Sequence, residues 1–215
     1  MDTDQLVASI KAGVASLRQD LPAGADVKMA RLLTELEHWN TRINLTAIRD
    51  PQDMVSGHIL DSLAVRPMLR GSRVLDIGTG AGVPGLPLAI AEAEIEFRLL
   101  DANGRKISFV RHVIGELGLS NASAIKARIE DYAPDERFDT VIARALASIP
   151  RLLELAGHLV RDEGVLLALK GKYPATELEQ IKEISGWKYD VTDLTVPGLE
   201  SHARHVVCLR RVNTV

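Results

Sequence analysis

The stretch VLDIGTGAGVPGLPLAI, residues 74–90, decides the fold. An apolar run leads into an acid, then into glycines at positions 78, 80, 82 and 85, and then into a second apolar run. This order predicts a buried strand, a tight turn and a helix. In α/β proteins a glycine-rich turn at this point brings the backbone close to a ligand, so we expect a binding loop here.

The spacing of the glycines narrows the kind of ligand. The dinucleotide fingerprint G-x-G-x-x-G requires a third glycine at position 83, which is occupied by Val83. Asp76 lies two residues before the first glycine. An acid at the mouth of the turn would repel a pyrophosphate and attract a cation. We therefore expect a ligand with a positively charged end.

The chain on either side of the loop shows two patterns. Before residue 70, apolar residues recur every three or four positions, which predicts helices at 4–17, 26–40 and 51–69. After residue 71, β-rich runs alternate with helical stretches, as in repeated βαβ units. The predicted strands are 73–77, 96–101, 122–126, 139–143 and 164–170, and the predicted helices are 85–93, 104–117, 149–159 and 175–184.

The end of the chain departs from this alternation. Two strand-like runs, 187–196 and 204–212, have no helix between them and predict an antiparallel hairpin. The predicted fold class is therefore α/β, a doubly wound, mostly parallel sheet with a C-terminal antiparallel hairpin strand. We divide the chain into an N-terminal helical cap, residues 1–70, and a ligand-binding domain, residues 71–215, which together form one unit.

Composition limits the classes of function. The formal net charge is −3, which argues against coating nucleic acid through an overall positive field but allows a local basic patch. Cys208 is the only cysteine, so an intramolecular disulfide and a cysteine-based zinc site are both excluded. With no long apolar run and no basic leader at the N-terminus, we expect a cytoplasmic monomer that binds neither membrane nor metal.

Asp101 ends the second predicted strand. A carboxylate at this position can accept hydrogen bonds from both hydroxyls of an adenosine ribose, although it could also cap the next helix. Together with Asp76, Gly78 and Gly80, it resembles the S-adenosylmethionine site of the Rossmann-like class I methyltransferases. The sulfonium and amino groups of that cofactor would supply the positive end.

Two further positions suit such a site. ARIEDY, residues 127–132, follows the third strand, where these enzymes hold the adenine, so Glu130 or the backbone near Ile129 could bind its amino group. Arg144 lies at the carboxyl end of the fourth strand, where methyltransferases of this class place residues that face the substrate. It could equally be a surface arginine.

The sequence also resembles one specific family, the bacterial 16S ribosomal RNA guanine-N7 methyltransferases, once called glucose-inhibited division protein B. The resemblance runs from about Leu33 to Val212. Its motifs are WNTRINLTAIRDP (39–51), HILDSL (58–63), the glycine loop, LLDANGRKISFV (99–110), ARIEDY, IARAL (142–146) and LKGK (169–172). The departures are small: Ala81 replaces a frequent proline, and residues 102–104 replace a serine-containing turn.

The resemblance implies roles for particular residues. Cofactor contacts are implied at Gly78, Val83, Ile129, Glu130 and Arg144. The segments that contain Asn40, Asn44 and Thr46, and His58 to Asp61, are implied to form the helical cap beside the site. His58, Asp61 and Ser62 could share a helical face; whether they clamp the cap or orient the substrate stays open.

The residues present are compatible with methylation of guanine N7. Methylation at pyrimidine carbon 5 needs a cysteine nucleophile, and Cys208 lies in the terminal strand away from any partner. Amine methyltransferases carry an Asn/Asp-Pro-Pro-aromatic motif where this chain has Ala143 to Leu146. Guanine N7 has a free lone pair, so positioning alone supplies much of the rate. A small-molecule methyltransferase and a non-catalytic nucleotide- or ribosome-binding module stay open as alternatives.

Cations follow several of the predicted strands. Because the carboxyl ends of parallel strands meet at one edge, we expect these cations to form a basic rim around the site. Phosphate contacts at this rim would position 16S ribosomal RNA or the small ribosomal subunit. In addition to Arg144, the predicted RNA-binding residues are Arg105, Lys106, Lys170, Lys172 and Arg204.

Overall fold

The sheet of this protein is built outward from the strand that precedes the glycine loop. The computed structural model describes residues 2–181, 184 and 186–212. Seven strands form one sheet in the order β3-β2-β1-β4-β5-β7-β6. The strands are β1 (Arg73–Ile77), β2 (Glu96–Asp101), β3 (Ala122–Lys126), β4 (Phe138–Arg144), β5 (Val160–Lys170), β6 (Trp187–Asp193) and β7 (His205–Arg211).

The direction of the strands confirms the predicted fold class. β1 to β5 pair in parallel, β7 pairs antiparallel with β5, and β6 pairs antiparallel with β7. The order changes direction at β1 and β4, which is where α/β sheets open a crevice for ligands. The predicted loop therefore lies at the switch point of the sheet.

Helices cover both faces of the sheet. Those of the sheet region are α5 (Gly85–Ala91), α6 (Gly104–Glu116), α7 (Ile149–Ala156) and α8 (Ala175–Ile181), and they follow two N-terminal helices, α1 (Thr3–Ser16) and α2 (Ala25–Asn40). Helix α8 was predicted to extend to residue 184, and residues 182 and 183 lie outside the described part of the chain. Within the residues that are described, no helix combines the length and the apolar character needed to cross a membrane.

The N-terminal helices share a core with the sheet region. Ile10 of α1 and Leu33 of α2 belong to the same buried cluster as Leu86 of α5 and Phe109 of α6. Phe109 is completely buried, and the ring of Trp39 packs edge-on against it at 5.7 Å between centroids. Burying a side chain of this size contributes about 2 kcal/mol, so these contacts fix the N-terminal helices onto the sheet region. The domain boundary at residue 70 stays a prediction.

The helix predicted at 51–69 is not continuous. It consists of α3 (Pro51–Met54), a π-helical segment (Val55–Leu60), α4 (Asp61–Leu63) and a 3₁₀ turn (Arg66–Met68). Asp50 caps its start, because its carboxylate accepts a hydrogen bond from the backbone N–H of Gln52. Pro67 lies in the 3₁₀ turn, and a proline lacks the N–H that would continue an α-helix.

Candidate active site

The glycine loop begins where β1 ends. Gly78, Gly80 and Gly82 have φ values of 66°, 59° and 79°, a left-handed conformation that glycine adopts without the cost of a β-carbon. The backbone N–H of Thr79 donates to the carbonyl of Leu100, 3.0 Å away, which ties the loop to β2. The turn therefore requires its glycines, and it presents backbone rather than side chains to the crevice.

Asp76 supports this loop from below. Its Oδ2 accepts hydrogen bonds from Thr79 Oγ1 at 2.6 Å and from the backbone N–H of Gly85 at 2.9 Å. The residue is buried, and among the described residues its Oδ1 has no hydrogen-bond partner. Burial raises the pKa of Asp76 to about 7, although the hydrogen bonds from Thr79 and Gly85 and the charge of Arg144 oppose this rise. Asp76 lies beneath the loop and not in the wall of the cleft. Its attraction of a cationic ligand stays a prediction.

Asp101 holds the outer side of the loop. Its Oδ2 accepts from the backbone N–H of Gly80 at 3.0 Å, and its Oδ1 accepts from Asn103 N at 2.7 Å. The cap of helix α6 is Asn103, whose side chain accepts from the N–H groups of Arg105 and Lys106. Asp101 is therefore not the helix cap that the sequence allowed as an alternative. Each of its oxygens keeps acceptor capacity toward the cleft.

A cleft of about 460 Å³ opens beside these residues, at the carboxyl ends of β1 to β4. Five of the predicted cofactor residues meet on its walls. Three others, Asp76, Gly80 and Val83, do not line it, and Val83 lies in the buried cluster behind the loop. The lining residues are Gly78, Leu100, Asp101, Ala102, Lys106, Ala127, Arg128, Ile129, Glu130, Arg144, Ala145, Leu146 and Leu155.

A second, smaller cavity of about 210 Å³ adjoins this cleft. Arg144 and Ala145 line both spaces, so they form the boundary between them. Ala145 has φ of 51°, an uncommon conformation for a residue other than glycine. The remaining lining residues of this cavity are Asp61, Leu169, Lys170, Gly171, Leu194, Arg204 and His205.

Asp61 joins the cap to this boundary. Its Oδ1 accepts from Arg204 Nε at 3.1 Å, and its Oδ2 lies 3.2 Å from Arg144 Nη1. This second contact is an ion pair without hydrogen-bond geometry, since Arg144 Nη1 is buried and has no hydrogen-bond partner among the described residues. The sequence does not predict this pairing, because Arg204 is far from Asp61 in the chain and no motif connects them.

His58 belongs to the interior of the cap. Burial, and secondarily the charge of Arg144, lower the pKa of His58 to about 4, so its ring is neutral. Its Nδ1 lies 3.0 Å from the carbonyl oxygen of Gly57. Because a carbonyl oxygen can only accept a hydrogen bond, Nδ1 is the donor. Its Nε2 lies 2.9 Å from Thr46 Oγ1. The side chain of Asn40 holds the same loop, because its Oδ1 accepts from the backbone N–H of Thr46 at 3.1 Å.

The π-helical segment changes the backbone bonding beside His58. The N–H of Asp61 donates to the carbonyls of Ser56 and His58 and passes over that of Gly57. The Gly57 carbonyl instead accepts from Arg144 Nη2 at 3.2 Å. Arg144 is thus held by one backbone and one carboxylate group of the cap.

The cations of the predicted basic rim differ in exposure and in pairing. Arg105 and Lys172 are exposed, while Lys106 lines the cofactor cleft. Lys170 Nζ donates to Glu177 at 2.8 Å and to the carbonyl of Ala147 at 3.0 Å, so its charge is compensated within the protein, and its contact with RNA stays a prediction. Arg204 is likewise paired, with Asp61.

The residues present fit an S-adenosylmethionine molecule. Asp101 offers acceptors for ribose hydroxyls at the cleft. The buried Asp76 Oδ1, which lacks a hydrogen-bond partner in the described part of the chain, is a further acceptor beneath the loop. The space above Gly80 is open, since a β-carbon built there would meet nothing closer than 3.8 Å. Backbone and ligand can therefore approach closely.

Solved structures share this architecture. An S-adenosylmethionine-dependent methyltransferase from Aquifex aeolicus is similar with a TM-score of 0.57 and 20% identity, covering 74% of this chain and 93% of the other. TYW2 of M. jannaschii, solved in complex with AdoMet, is similar with a TM-score of 0.59 and 19% identity, covering 80% of each chain. These likenesses show that the chain has the Rossmann-like fold that these methyltransferases share.

Sequence comparison identifies the family within this class. The family model described as rRNA small subunit methyltransferase G matches residues 26–207. A curated relative from Idiomarina loihiensis, named ribosomal RNA small subunit methyltransferase G, is 48% identical over 177 residues, which cover 82% of this chain and 84% of the relative. The chain belongs to the rRNA small subunit methyltransferase G family, which confirms the resemblance seen in its motifs.

Proposed function

We propose that this protein acts in the cytoplasm as a monomer and transfers the methyl group of S-adenosylmethionine to N7 of one guanine in 16S ribosomal RNA. The bound cofactor supplies an electrophilic methyl group on a sulfonium. Membership of the family supports an RNA substrate, and the smaller cavity beside the cofactor cleft supports a single base as the acceptor.

The size and lining of that cavity carry the proposal. At about 210 Å³ it is smaller than the roughly 300–1,000 Å³ of typical small-molecule pockets, and it suits one base taken out of its stack. Guanine presents acceptors at O6 and N7, which arginine donors recognise in nucleic acids. Arg144, Arg204 and His205 line the cavity.

The reaction needs no proton transfer before attack. The N7 lone pair forms the new bond to the methyl carbon, and the electrons of the broken carbon–sulfur bond stay on sulfur. The neutral His58 is bonded inside the cap and Asp61 is paired with arginines, so neither is placed as a general base. The protein contributes by holding the base in line with the methyl group and by excluding water.

The surface around the cavity suits RNA. Tyr173, exposed over 56% of its surface, follows β5 and packs edge-on against His205, with ring centroids 5.6 Å apart. Lys172 beside it is exposed. An exposed aromatic ring next to a cation is a common platform for an unpaired base and its phosphate.

The test uses small ribosomal subunits from cells that lack this enzyme. They are incubated with the protein and labelled cofactor, and N7-methylguanine is mapped by chemical cleavage; subunits from cells that contain the enzyme serve as the control. We expect one labelled guanine in 16S RNA and none in the control. Label at another atom or base, or none in any RNA, would contradict the proposal.

Salt separates RNA from the small-molecule alternative. RNA recognition through phosphates weakens steeply as ionic strength rises, whereas turnover of a small uncharged substrate does not. The KM for subunits should therefore rise between about 50 and 200 mM salt while the Kd for the cofactor stays nearly constant. A salt-independent KM would favour the alternative.

A further inference from the structure

One buried carboxylate organises both arginines of the smaller cavity. The Asp61 side chain is only 6% exposed, whereas those of Arg144 and Arg204 are 28% and 27% exposed. Arg144 ends β4, Arg204 immediately precedes β7, and Asp61 begins α4 in the N-terminal cap. Three separate parts of the chain therefore converge on one carboxylate.

The two oxygens of Asp61 have separate partners. Oδ1 accepts from Arg204, and Oδ2 lies against Arg144. Because both arginines have long side chains with many rotamers, each would sample several positions without a fixed acceptor. One rigid carboxylate removes this freedom from both and sets the distance between the two guanidinium groups.

The cluster keeps a net positive charge. Two guanidinium groups face one carboxylate, and the neutral His58 adds no charge. Both arginine side chains stay partly exposed in the wall of the smaller cavity, so they can meet an incoming acceptor. An acceptor-rich group, such as the O6 edge of a guanine or a phosphate, matches this arrangement.

We propose that Asp61 is a positioning residue for RNA methylation, which holds Arg144 at the boundary between the cofactor cleft and the smaller cavity and holds Arg204 in the wall of the smaller cavity. This inference rests on the proposed function. Asp61 acts only through the arginines and does not touch the reacting atoms. Its loss should therefore impair use of RNA far more than binding of the cofactor.

A double-mutant cycle tests this role. In wild-type background, Asp61→Asn should lower kcat/KM for small subunits by about 10- to 100-fold, the scale of a misplaced site group. In an Arg204→Gln background, the same change should cost less, because one of the two arginines through which Asp61 acts is already gone. The cofactor Kd, measured by calorimetry, should change less than about threefold in every variant.

Two further variants keep the test decisive. Arg204→Lys retains the charge but loses the Nε contact, and it should lower kcat/KM to an extent similar to Asp61→Asn; it covers the case in which Asp61→Asn fails to fold. Asp190→Asn removes an exposed carboxylate that pairs with Arg210 between β6 and β7, and it should leave all constants unchanged.

The outcomes separate the two proposals. If the wild-type protein methylates no RNA, the proposed function fails. If it methylates RNA and Asp61→Asn or Arg204→Lys retains wild-type kcat/KM, only the positioning role is overturned. An equal loss from Asp61→Asn in both backgrounds, together with weaker cofactor binding and a lower Tm, would show that Asp61 is merely structural.

Discussion

Replacing Asp76 by asparagine should remove a pH-dependent loss of folding stability. Burial raises the pKa of Asp76 to about 7, above its ordinary value of 3.8. Between about pH 4 and pH 7 the unfolded chain has therefore lost a proton that the folded protein retains. Stability falls as pH rises through this window and is level above it.

The difference between the two pKa values sets the magnitude. At 1.36 kcal/mol per pH unit, it corresponds to about 4 kcal/mol over the whole window and to about 3 kcal/mol between pH 5 and pH 8. The amide of the Asp76→Asn variant would keep an oxygen for the Thr79 and Gly85 donors and cannot ionise. The variant should gain stability relative to wild type by this amount as pH rises from 5 to 8.

Urea denaturation of both proteins at pH 5, 6, 7 and 8 measures this difference directly. The lowered pKa of His58 acts in the opposite direction, but it is present in both proteins and cancels. Asp139→Asn is a control without a pH-dependent difference in this range. Burial raises the pKa of Asp139, but hydrogen bonds from Arg161 and neighbouring backbone groups outweigh it and lower the pKa overall, so its effect on stability changes only below about pH 4. A difference between wild type and Asp76→Asn that is constant with pH would refute the reasoning.

Three further substitutions test the cleft and its surroundings. Asp101→Ala removes the acceptor of the Gly80 N–H and should weaken cofactor binding by about 1–3 kcal/mol in calorimetry; unchanged affinity would exclude a ribose contact. Gly78→Ala places a β-carbon 2.7 Å from Leu146 Cδ1 at φ of 66°, so Tm and cofactor affinity should both fall, and wild-type values for both would contradict the strain. Tyr173→Ala should raise the KM for subunits by about 5- to 100-fold while Tyr173→Phe does not; equal KM values for the two variants would rule out stacking on RNA.

The strands could be predicted because buried parallel strands are continuous apolar runs. The predicted strand boundaries were wrong where polar residues continue a strand beyond its apolar run. β5 begins at Val160 rather than residue 164, because three charged residues, 161–163, extend it beyond the apolar run. The π-helical segment in the third helix carries no such signal, since its apolar spacing resembles that of a regular helix.

The cofactor cleft was predictable for a topological reason. The carboxyl ends of parallel strands meet at one edge, so Gly78, Asp101 and Arg144 came together although they are distant in sequence. The compensation of Lys170 by Glu177 was not predictable, because it depends on how α8 returns toward β5. The sequence alone does not show which charged residues form ion pairs in the folded protein.

The π-helical segment around Gly57 makes the hydrogen-bonding pattern of the cap important for the position of Arg144. A regular α-helix would consume the Gly57 carbonyl in its own ladder, whereas the π-helical segment releases it to Arg144. One backbone hydrogen bond of the cap is thus exchanged for a bond to a residue of the sheet. The cap segment and the position of Arg144 therefore depend on the same backbone geometry, and a one-residue deletion that restored a regular helix would remove the Gly57 acceptor from Arg144 without altering any side chain of the site.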